Sequence, residues 1–125
     1  MSVRVFWDNK HRTAIRYDFT VVWEWEEFYA AVDIAYAMTS SVEHTVDTIS
    51  NFRVGVVLPQ NALFEFRQVM VNAPKNRGIN VIIVRTKAVK DAISMFTKFD
   101  TQLGARLLVA STLYEAREML AERRK

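Results

Sequence analysis

Gly78-Ile79-Asn80-Val81-Ile82-Ile83-Val84-Arg85-Thr86 decides the architecture of this chain. Val81 to Val84 is an unbroken apolar run, β-branched throughout, with a glycine turn before it and charge at Arg85 after it. A short apolar run without alternation reads as a strand buried on both faces. Such a strand needs helices above and below it, which implies a layered α/β domain with parallel pairing.

Toward the N-terminus, Val3, Val5 and Trp7 alternate with Arg4, Phe6 and Asp8, and Ile15, Tyr17 and Phe19 alternate with Arg16 and Asp18. With the polar turn 8–12 between them, these two runs predict a β-hairpin with one wet face. Trp23-Glu24-Trp25-Glu26-Glu27 opens the first helix, its glutamates suited to the positive end of the helix dipole. Trp25, Phe28, Val32, Ala35 and Thr39 fall on one side of it, a pattern that reads more simply as core than as a ligand platform. Thr45 to Phe52 predicts a strand that is polar for a central one, with Asp47, Thr48, Ser50 and Asn51. An apolar loop, Arg53 to Leu58, leads to Pro59 in the first turn of a second helix. Leu63, Phe66 and Met70, with Ala62, Val69 and Ala73, give that helix its inner face.

After the organising strand, a third helix starts at Lys87 or Ala88. Val89, Ile93 and Phe96, with Ala92 and Phe99, form its apolar stripe, and Gly104 is its expected C-cap. Ala105 to Ala110 is the last strand, and Thr112 with Glu115 is spaced as a capping box for a last helix from Leu113. The order is β-β-α-β-α-β-α-β-α: one domain over 1–125, with a mixed, mostly parallel sheet of about five strands and an antiparallel N-terminal hairpin.

Half the residues are apolar and a quarter are charged, as in an ordinary globular domain. There is no cysteine, which excludes disulfides and thiolate chemistry. No stretch approaches the roughly 20 apolar residues of a membrane span, and no signal peptide is expected at the start of the chain. A cytoplasmic location is the expectation. The net charge of +3 conceals an asymmetry: residues 1–50 carry −4 and residues 51–125 carry +7. The basic half could face an anionic partner, but the tryptophans sit in the acidic half, so no nucleic-acid partner is expected.

Catalytic and cofactor signatures are missing from the sequence. His11 and His44 have no companions at zinc-ligand spacing. Gly55, Gly78 and Gly104 are too far apart for a phosphate loop or a dinucleotide fingerprint, and no serine sits in a nucleophile elbow. The expectation is a protein that is not an enzyme and has no metal or cofactor. Were there an anion site, topology would put it beyond the carboxyl ends of the parallel strands, at Thr86, Lys87 and Ser111, with Arg53 nearby. The same residues serve equally as strand exits and helix caps.

Several phrases resemble a known family. Ile15-Arg16-Tyr17-Asp18-Phe19, Trp23 to Ala31, Val46-Asp47, Leu58-Pro59-Gln60-Asn61-Ala62-Leu63 and Phe66-Arg67, in this order of elements, are similar to STAS domains, the SpoIIAA-like fold of anti-sigma-factor antagonists. The resemblance runs over nearly the whole chain. It implies a bacterial, non-catalytic regulatory module that binds a protein partner through the surface around the start of the second helix. Partner-switching members carry a phosphorylated serine or threonine at that point. Here the matching stretch is Val57-Leu58-Pro59-Gln60-Asn61, which holds no hydroxyl.

The candidate partner surface is therefore Arg53, Val56, Val57, Leu58, Gln60 and Asn61, for another protein or a second copy of this chain. The alternative is a small apolar-ligand or lipid carrier, since the fold also resembles the CRAL-TRIO domains. Trp7, Tyr17, Phe19, Trp23 and Phe28 are the residues that could line its pocket.

Overall fold

The computed structural model describes residues 2–52 and 61–124. The element order is β1 (Val3–Trp7), β2 (Ala14–Phe19), α1 (Trp25–Ser40), β3 (Val46–Phe52), α2 (Ala62–Val71), β4 (Arg77–Ile83), α3 (Lys87–Phe99), α4 (Thr101–Gly104), β5 (Leu107–Ala110) and α5 (Leu113–Arg123). The strands form one five-stranded sheet in sequential order, β1-β2-β3-β4-β5. β1 pairs antiparallel with β2, and all other pairings are parallel. This is the mixed α/β sheet that the hydrophobic pattern predicts.

Side chains alternate between the two faces of each strand, so each face has its own core. On one face Ile15, Tyr17, Phe19, Val46 and Phe52 meet α1 and α3 through Phe28, Val32, Val89 and Ile93. On the other, Ile49, Val81 and Ile83 meet α5 through Ala116 and Leu120. The parallel strands are therefore covered on both sides. Val81 and Ile83 are fully buried and Val84 is buried, as their run of β-branched residues requires. Ile82 is only half-buried, because its side of the sheet opens into a chamber described below.

On the second face of the hairpin, Ala14 packs with α5 and charge fills much of the rest. Asp8 pairs with Arg16 at 3.2 Å and with Arg117 of α5 at 2.8 Å, and Asn51 donates to Asp18 at 3.0 Å. Arg16 also lies over the Phe6 ring, 4.5 Å from its centroid.

Three local expectations change. First, among the described residues α2 runs from Ala62, on an Asn61 N-cap in the left-handed region (φ 64°), a conformation asparagine tolerates, and Pro59, expected in its first turn, lies outside those residues. Second, Gly104 is not the C-cap of the third helix. That helix ends at Asp100, whose carboxylate accepts the Leu103 N–H at 3.1 Å and starts the short α4 that contains Gly104. A Cβ at Gly104 would lie 2.8 Å from the Cα of Thr97, so close packing of α4 on α3 selects the glycine. Third, Phe99 is 87% exposed and is not part of the buried stripe of α3. It lies roughly a quarter turn from the line of Val89, Ile93 and Phe96.

Candidate functional site

Thr48 and Ser50 are the polar residues of β3 that face α1, α2 and α3, and Asn80 and Ile82 stand beside them on β4. Above this floor, α2 presents Leu63, Phe66, Val69 and Met70, the residues its helical spacing marks as an inner face. All four are only half-buried. The cause is a partly open chamber of about 130 Å3 between the underside of α2 and the sheet. Tyr17, Phe19, Phe28, Phe52 and Phe66 form its aromatic wall. Those rings also pack on one another, with Phe19 stacked on Phe52 at 4.3 Å and Phe66 set edge-on to Phe28 at 5.4 Å.

The polar lining is confined to a few groups. Ser50 Oγ donates to Asn80 Oδ1 at 3.2 Å. The Tyr36 hydroxyl donates to the Val69 carbonyl, tying α1 to α2 across the chamber. Burial raises the Tyr36 pKa to about 12, although the nearby Arg77 cation favours the phenolate. Burial pushes the Tyr17 hydroxyl up further, and neighbouring Tyr36 adds to the shift. Arg77 and Arg106 line one end.

Of the aromatic residues proposed for a pocket, Tyr17, Phe19 and Phe28 line the chamber. Trp7 and Trp23 are not part of its lining. Trp23 instead packs on Phe19 at 5.1 Å and on Phe66 at 6.3 Å. The sequence signal for the chamber was the unusual polarity of β3, because Thr48 and Ser50 point into it.

Thr86, Lys87 and Ser111 do come together. They border an open cleft at the carboxyl ends of β4 and β5, with Arg85, Lys90 and Asp91. Their bonds are those of structural residues: Thr86 Oγ1 accepts the Val89 N–H at 3.5 Å as the α3 N-cap, and Lys87 pairs with Asp91 at 3.2 Å. Of the candidate partner surface, Asn61 caps α2, whereas Arg53, Val56, Val57, Leu58 and Gln60 lie outside the described residues.

A second apolar stripe runs along α3. Ala88, Ala92, Met95 and Phe99 recur at helical spacing, and Met95 and Phe99 are 69% and 87% exposed. Phe64 and Val71 are exposed on neighbouring α2. The sequence does not mark these as contacts, because one apolar residue in a helix does not declare which way it points.

Among the described residues no group of three His, Asp or Glu side chains is placed to hold a metal ion, and no helix is long and apolar enough to cross a membrane. No family model, curated protein or solved structure matches the chain.

Proposed function

We propose that the chain is a non-catalytic, STAS-like regulatory module that works by binding a protein partner. The exposed apolar stripe on α3 carries this reading. Met95 and Phe99 project into solvent on the same side of the helix, and Phe64 and Val71 are exposed on the helix beside it. Contiguous exposed apolar side chains commonly mark contact surfaces. The sheet order adds support, since a hairpin followed by consecutive parallel strands is what the STAS resemblance implies.

The test compares the wild-type chain with Met95→Ser/Phe99→Ser, by affinity capture from the native cell and by sedimentation. A partner or self-association present in the wild type and lost from the folded variant is the expected result. Identical capture by both chains, with both monomeric, would refute the assignment of this face.

A second reading is favoured by the chamber: the chain carries a small apolar ligand between α2 and the sheet. A folded domain normally fills its interior with its own side chains. Here the underside of α2 is left half-buried over aromatic rings, with a few polar groups converging on the same space.

A further inference from the structure

The chamber is not uniformly apolar, and its polar end has an unbalanced charge. Arg77 and Arg106 both line that end. Among the described residues, no carboxylate lies within ion-pair distance of either. Arg77 Nη1 makes only long contacts, 3.4 Å to the Ala73 carbonyl and 3.3 Å to that of Pro74. Its Nε is buried with no hydrogen-bond partner among the described residues. Arg106 Nη1 reaches the Arg77 carbonyl at 3.5 Å, so the second guanidinium sits beside the first residue's backbone. Four other arginines are neutralised: Arg16 and Arg117 by Asp8, Arg67 by Asp100, and Arg124 by Asp47. A cation with a buried, unsatisfied N–H against an apolar space is costly unless something completes it.

We infer that the chamber binds a small apolar monocarboxylate, its carboxylate on Arg77 with Arg106 at the mouth and its apolar body against Tyr36, Val69 and Met70. This rests on the ligand-carrier reading and adds the chemical class. A guanidinium fork matches a carboxylate in shape and charge. A bare inorganic anion would leave the apolar lining beside Arg77 without a partner, and a neutral hydrocarbon would leave the arginine N–H groups without one. The volume limits the body to about one aromatic ring, since a cavity of roughly 150 Å3 is known to accommodate benzene.

The experiment titrates the full chain with benzoate, with benzyl alcohol as a neutral molecule of the same body, and with acetate as a carboxylate without one. Amide chemical shifts at Thr48, Met70 and Asn80 give the readout. Benzoate is expected to bind at least about tenfold more tightly than the other two, as a charge-assisted hydrogen bond implies. Arg77→Gln should remove that advantage and leave benzyl alcohol binding unchanged. The exposed Arg106→Gln should weaken benzoate less, and it provides a second variant should Arg77→Gln fail to fold. Equal binding of benzoate and benzyl alcohol, insensitive to both substitutions, would overturn the carboxylate assignment while leaving the carrier reading standing. No binding of any of the three would overturn both.

Discussion

The carboxylate of Asp47 occupies the space where a side chain on Gly78 would begin. A Cβ built on Gly78 would lie 1.9 Å from Asp47 Oδ1. Val46 pairs with Arg77 but Thr48 pairs with Asn80, so β4 has one more residue than β3 across this step. That extra residue makes a bulge. Asp47 Oδ1 accepts the Ile79 N–H at 2.8 Å, which the bulge would otherwise leave unpaired. Its Oδ2 receives Arg124 at 3.0 Å, so the same carboxylate also anchors α5.

Gly78→Ala is therefore expected to destabilise the protein by about 2 kcal/mol, as forced overpacking typically does. Asp47→Ala alone should also be costly, because it strands the Ile79 N–H and the Arg124 cation. The double variant should be less destabilised than the sum of the two by about 1 kcal/mol or more, since removing the carboxylate relieves the clash. Urea denaturation of all four proteins measures the cycle. Strict additivity would mean that the carboxylate moves aside at no cost.

Ile83→Asp is expected to abolish soluble expression. Ile83 is 0% exposed and packs among the residues beneath α5. An unpaired charge there costs several kcal/mol, of the order of a small domain's whole stability. Soluble, cooperatively unfolding protein would contradict the placement of β4 at the centre.

The alkaline limit of stability should be set by tyrosines. Tyr36 has its pKa raised from 10.0 to about 12, and burial raises Tyr17 as well. Between the unfolded and folded pKa values the unfolded chain has lost a proton that the native one keeps, so stability falls with rising pH. The Tyr36 contribution is intact below about pH 10 and lost by about pH 12. Tyr17→Phe and Tyr36→Phe should each flatten the decline in melting temperature across that window. An unchanged decline in the double variant would assign it to other groups.

No phosphate is expected at the start of α2, where a partner-switching STAS domain would carry one. Asn61 occupies the N-cap position of that helix, and Gln60 and Pro59 before it in sequence carry no hydroxyl. Ser50 lies on the chamber floor, bonded to Asn80, and Thr86 caps α3, so neither is presented as a free loop hydroxyl. Mass spectrometry of protein from its native cell is the check. Stoichiometric phosphate on either residue, coupled to partner exchange, would relocate the switch and overturn the expectation of a single constitutive state.

The sheet was legible because its residues obey simple periods. Val81 to Val84 announced burial on both faces, and Ile15, Tyr17 and Phe19 announced one wet face. Thr112 and Glu115 marked the start of α5 correctly, and the Thr112 hydroxyl accepts the Glu115 N–H at 3.1 Å. The chamber was half legible. The inner residues of α2 were named, but spacing gives a direction and not a distance, so it could not show that α2 stands off the sheet. The pairing of Arg77 with Arg106 was not legible at all, because parallel β4 and β5 bring together residues 29 positions apart. Phe99 misled because an apolar residue at the edge of a helical stripe looks like one at its centre.

The placement of α5 has a consequence for synthesis. Ile49, Val81 and Ile83 belong to strands that are made before α5, the helix that covers them. Until Thr112 to Arg124 has left the ribosome, the nascent sheet can close only one of its two faces. The bare face is a flat, β-branched surface of the kind that invites association between chains. Arg117 and Arg124 then reach back to Asp8 and Asp47, so α5 closes against the hairpin turn and a strand that precede it. A ribosome stalled before α5 would hold an aggregation-prone half-sandwich.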